Sequence, residues 1–111
     1  MSVTPKNIIP RKYAENAITT QYTATGVRCI IDKFTATNIS ASPVTLDVYL
    51  VASGGSATDA NRVVKLRTLV PNESYTFPSV VGQILEAGGF IATNASAASA
   101  LVLSASGREV A

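Results

Sequence analysis

Five acidic residues are the first candidates for chemistry: Asp32, Asp47, Asp59, Glu73 and Glu86. Two carboxylates can share acid and base roles across a glycosidic bond, but these five fall on separate candidate strands and turns. Asp59, in a Gly/Ser loop, offers one carboxylate where calcium takes about six to eight oxygens. The chain has no His and a single Cys, Cys29. That excludes a Ser-His-Asp triad, a Cys-His pair and an imidazole base. It also leaves zinc without a ligand set and rules out a disulfide within the chain. No phosphate loop carrying Lys and Ser/Thr is present. The residues therefore predict a protein that is not an enzyme and uses neither cofactor nor metal. Cys29 reads as a small apolar core residue.

Contact chemistry remains. Lys6, Ile8, Ile9, Arg11, Lys12 and Tyr13 lie in an N-terminal stretch broken by Pro5 and Pro10. Proline removes a backbone donor and disfavours a regular helix. Residues 1–13 read as an extended arm that lies on a partner, with 14–111 as one domain that folds without it. Further along, Lys65 and Arg67 share strand parity and one sheet face. They serve either as edge-protecting charge or as a contact to an acidic patch on a protein partner. Tyr49 lies on the polar parity of its strand beside Val51, so its ring either marks an interface or lies over a neighbouring strand. Lys6, Ile8, Ile9, Arg11, Lys12, Tyr13, Tyr49, Lys65 and Arg67 are thus the candidate interface residues.

The chain that must position them is small. Its 111 residues suffice for one domain. The hydrophobic fraction is 47% and the charged fraction 14%, a balance that favours a packed core over disorder. A net charge of +2 is too weak to argue for nucleic acid. No signal peptide is visible, and no apolar run reaches the length of a membrane-spanning helix. No partner in nucleic acid or membrane is expected.

Turn residues recur at short intervals and Thr, Val and Ile are frequent, which predicts strands. Candidate strands cover 18–24, 27–37, 44–52, 62–70, 75–77, 80–85, 90–93 and 100–106. In 27–37 the apolar parity switches from Cys29 and Ile31 to Phe34 and Ala36, predicting a bulge at Asp32-Lys33. The stretch 44–52 alternates most cleanly, with Val44, Leu46, Val48 and Leu50 on one face. Val64, Leu66, Thr68 and Val70 are expected to share a face of the next strand. Pro71-Asn72-Glu73-Ser74 is a tight-turn signature, Pro presetting one φ and Asn tolerating the next. Gly88-Gly89 allows positive φ. About eight short strands without a convincing helix make an all-β antiparallel sandwich or barrel.

A family resemblance is carried by turns and alternation. Thr37-Asn38, then Val44-Thr45-Leu46-Asp47-Val48-Tyr49-Leu50, Gly54-Gly55-Ser56-Ala57 and Pro71-Asn72-Glu73-Ser74 resemble small virion proteins of tailed phages. So do Leu85-Glu86-Ala87-Gly88-Gly89-Phe90-Ile91-Ala92 and Ser104-Ala105-Ser106-Gly107-Arg108-Glu109. The match departs at Gly89, where many members carry an acidic residue. Length and arm are similar to the small jelly-roll capsid decoration proteins, cement or staple proteins of the epsilon15 type. The resemblance implies a jelly-roll β-sandwich made in the host cytoplasm and placed on the outer capsid surface of the virion. It implies a homodimer that staples neighbouring major capsid protein subunits and stabilises the shell. A low-copy tail, neck or fibre accessory protein is the alternative expectation. A carbohydrate-binding module for host adsorption is a more distant one, because the chain has no Trp to serve as a sugar platform.

Overall fold

The structure, a computed structural model, describes residues 2–111. In chain order the strands are β1 (Val3–Tyr13), β2 (Thr19–Thr23), β3 (Arg28–Asn38), β4 (Val44–Val51) and β5 (Arg62–Leu69). They continue as β6 (Ser74–Thr76), β7 (Ile84–Leu85), β8 (Phe90–Ala95) and β9 (Leu101–Val110). One short 3₁₀ turn, Asp59–Asn61, precedes β5. One sheet has the order β1-β9-β3-β6, with β7 also on β3; the other has the order β2-β8-β4-β5. All pairings are antiparallel. A five-strand and a four-strand layer facing each other and connected in this order make a β-sandwich of jelly-roll connectivity.

The core forms where alternation from both sheets meets. Cys29, Ile31, Phe34 and Ala36 of β3, Leu101, Leu103 and Ala105 of β9, and Val44, Leu46 and Val48 of β4 are buried together. Phe34 and Phe77 meet edge to face at 5.5 Å, and Tyr75 meets Phe77 at 4.9 Å, a geometry that suits the ring quadrupoles. The parity switch in β3 is a bulge: the register shifts between Ile31 and Lys33 opposite Gly107 and Ser106. Gly107 is required there, because a Cβ would sit 2.5 Å from the Ile30 carbonyl oxygen. The Pro71-Asn72 turn closes with Glu73 N–H on the Val70 carbonyl at 3.1 Å, and Asn72 takes the positive φ of 67°.

Residues 3–13 are extended, but they are β1 itself, paired along β9 from Val3↔Val110 to Tyr13↔Val102. Pro5 and Pro10 are accommodated because β1 is an edge strand, where a missing donor costs no ladder bond. Two register shifts, between Lys6 and Ile9 and between Ile9 and Lys12, each give β1 an extra residue relative to β9. A bulge re-aims side chains, so the adjacent Ile8 and Ile9 are both buried, at 3% and 1% exposure. Of the expected strand 80–85 only Ile84–Leu85 forms; Pro78 ends β6 and turns follow.

Candidate docking surface

Jelly-roll connectivity gathers four loops at one end of the sandwich. These are the β1–β2, β3–β4, β5–β6 and β8–β9 connections, and hydrogen bonds tie them together. Ala14 N–H donates to Leu101 O at 2.8 Å, Ala95 N–H to Glu15 O at 3.0 Å, Ile39 N–H to Ala100 O at 2.9 Å and Asn72 N–H to Asn38 O at 2.9 Å. Asn38 is the fully buried centre of this end. Its Nδ2 donates to the Ser42 and Leu69 carbonyls, both at 2.9 Å, and its Oδ1 accepts from Ser40 N–H and Oγ. Every polar group of the side chain is satisfied, so the loops are held with no desolvation penalty outstanding.

On this frame three of the four corners, β1–β2, β3–β4 and β5–β6, turn apolar side chains outward. Tyr13, Ile18, Ile39 and Val70 are 50%, 53%, 51% and 54% exposed. Tyr13 and Arg11 border a shallow hollow of about 260 Å³ with Lys12 and Val102. Half-exposed large apolar residues on three tied loops at one end are suited to contact. Sequence reasoning identified Tyr13 but not Ile18, Ile39 or Val70. Their signal was a single apolar residue inside or beside a polar loop.

The expected interface residues divide. Lys6 is exposed and paired with Glu109 at 3.4 Å; Lys12 pairs with Glu15 at 2.9 Å. Arg11 is exposed and makes no ion pair among the described residues. Ile8 and Ile9 belong to the core and are unavailable to a partner, which corrects the reading of both as docking residues. Removing residues 2–13 therefore removes an edge strand of the domain, not a separable arm. Tyr49 is also corrected: it is 2% exposed. The outer face of β4 is covered, with Tyr49, Val51 and Ala92 packed beneath Ala57 and Phe90, and the Arg62 guanidinium lies 5.2 Å from the Tyr49 ring centre.

Lys65 and Arg67 lie on β5, at the seam between the two sheets. Here the expected parity fails. Arg67 faces Leu46 and Val64 faces Val48, so Lys65 and Leu66 together oppose the single residue Asp47. This bulge rests on Asp47, whose Oδ1 accepts the Leu66 N–H at 2.7 Å. The Arg67 guanidinium lies over Tyr75, 3.8 Å from the ring centre and 3.7 Å from Glu73, spanning from β5 to the opposite sheet. Lys65 is exposed with no ion pair among the described residues.

The opposite end of the sandwich is charged. The Tyr22 hydroxyl donates to Glu109 Oε2, which also meets Lys6. The Tyr22 bond, with Lys6 beside it, holds the Glu109 carboxyl below its ordinary range. Burial, and then the same bond, push the Tyr22 hydroxyl up. Arg108 takes Asp32 through two nitrogens at 3.0–3.2 Å, and Arg28 meets Glu86 at 2.8 Å. Burial raises the Cys29 thiol above its ordinary value. Among the described residues no group of three or more potential metal ligands occurs, and no helix is long and apolar enough to cross a membrane. Compared with protein-family models, with curated proteins and with solved structures, the chain matches none.

Proposed function

We propose that this chain is a structural virion protein that decorates the outer capsid of a tailed phage and staples neighbouring major capsid protein subunits. The resemblance of its turns and strands to small decoration proteins supplies the partner. The observation that carries the reading is the loop end, where Tyr13, Ile18, Ile39 and Val70 stand half exposed on hydrogen-bonded loops. Burying such side chains on a partner is favourable at roughly 1.5–3 kcal/mol for each one fully covered. Loops already fixed by Asn38 lose little further entropy on docking. A protein that binds only the assembled lattice stabilises it by linkage, and contacts to more than one subunit multiply weak affinities. In this role the chain acts without catalysis or cofactor, works as a homodimer and engages neither nucleic acid nor membrane.

The test is binding to shells of the major capsid protein that carry no copy of this chain. The parent protein is expected to saturate the shells, and the double variant Ile39→Asp/Val70→Asp to bind at least about tenfold more weakly with its fold intact. A parent that leaves the shells bare would overturn the reading. Quantitative mass spectrometry of virions separates it from a tail, neck or fibre role. Decoration requires a copy number that is a large fixed fraction of that of the capsid protein; a handful of copies would move the chain to the tail.

A further inference from the structure

Leu66 breaks two local rules at once. Its φ is 50°, in the left-handed region where a Cβ crowds the following carbonyl and Gly or Asn is the economical occupant. The other positive-φ positions are Asn72, the small Ser99 and Gly26, Gly54, Gly82 and Gly88, so Leu66 alone among them carries a large apolar side chain. The Leu66 side chain is also 56% exposed, so core packing does not compensate the strain. Strain held at an exposed apolar residue points to a use outside the chain.

The surroundings are built to present it. Asp47, itself 5% exposed, holds the Leu66 N–H at 2.7 Å, and Arg62 braces Asp47 at 3.6 Å. Beside Leu66 runs a groove of about 580 Å³ between β5 and β6, lined by Val64, Tyr75, Phe77 and Pro78. Lys65, which also borders the groove, is exposed and without an ion pair among the described residues.

We infer that Leu66 is the anchor of a second contact, seated in an apolar socket with an acidic rim on the protein that the loop end docks against. This rests on the decoration reading for the partner's identity. Charge decides between that partner and a second copy of this chain. All seven side-chain carboxylates are already in ion pairs, so another copy has none free for Lys65. A two-fold axis through Leu66 would also set Lys65 and Arg67 against the same cations, and like charges placed opposite repel. An acidic rim on a different protein answers Lys65 without that conflict.

Leu66→Asn and Leu66→Gly suit the bulge's φ while removing the anchor. Both are expected to keep or raise the thermal midpoint and to weaken binding to bare capsid shells by about tenfold or more. Lys65→Glu is expected to weaken binding most at low salt, with Lys65→Arg near the parent. A loss of binding together with a lowered midpoint in both Leu66 variants would overturn the inference, as would binding within about twofold of the parent. A parent dimer that Leu66→Asn converts to monomer, with shell binding unchanged, would give the anchor to a second copy and overturn it too. If the parent itself fails to bind shells, the decoration reading falls instead.

Discussion

The two ends of the sandwich solve the same problem with opposite chemistry. Each must tie the two sheets together where the strands run out. At the loop end a neutral, fully buried Asn38 does so, and the surface above it carries Tyr13, Ile18, Ile39 and Val70 beside the Lys12–Glu15 and Arg67–Glu73 pairs. At the far end ionisable groups do so, with Tyr22 of β2 bonded to Glu109 of β9 and exposed pairs such as Arg28–Glu86 around it. A neutral hub carries no net charge to be solvated, so apolar side chains can cluster over it. At the far end the cross-sheet tie is itself ionisable, so the groups around it stay solvated. The two ends thus differ in what ties the sheets, a neutral amide at one and ionisable groups at the other, while exposed apolar side chains occur at both, Val3 and Ile84 lying toward the far end.

Three substitutions would break or sharpen that contrast. Asn38→Ala should do most, removing the amide donor from the Leu69 carbonyl and leaving the Ser42 carbonyl with the Ser40 hydroxyl alone. About 2–4 kcal/mol should be lost, which scanning calorimetry would read as a drop of roughly 10–20 °C in thermal midpoint. A loss below 1 °C would mean that water replaces the amide. Tyr22→Phe should cost about 1 kcal/mol near neutral pH and also change the pH response. Glu109 has a folded value lowered from its ordinary 4.5, so its contribution is complete above that value and fades as pH falls through the lowered one. Urea midpoints between pH 6 and 3 should therefore converge for parent and Tyr22→Phe at the acid end; parallel curves would refute the coupling. Glu86→Gln should do least. The Arg28–Glu86 side chains are 66% and 70% exposed, and such pairs contribute about 0.5 kcal/mol or less. A larger loss in a chemical melt would mean that the far end depends on its surface charges.

Much of the fold could be read from local signals. The bulge beside Lys33 announced itself as a switch of apolar parity, and the turn at Pro71-Asn72 as two residues with the required φ preferences. Leu101, Leu103 and Ala105 marked the inner face of β9. The site was less legible, because its features come from tertiary contact. Tyr49 has the parity of an exposed residue, yet the loop after β4 lays Ala57 over it. The prolines of β1 suggested a free arm because sequence does not reveal that a strand lies at an edge. The bulge in β5 carries neither Gly nor Asn, so nothing local flagged Leu66. Ile18, Ile39 and Val70 become a group only once four connections meet at one end.

The placement of β9 has a kinetic consequence. It comes after every other strand in the chain, yet it lies between β1 and β3. The first sheet therefore has no centre while β9 is still being synthesised, and Ile8, Ile31 and Phe34 await their cover until that strand arrives. Non-local pairing of this kind slows folding to the range of milliseconds to seconds. It also leaves apolar strands open to neighbouring nascent chains in the interval. Completion of the first sheet therefore waits on pairing between strands far apart in sequence, whatever the stability of the finished sandwich.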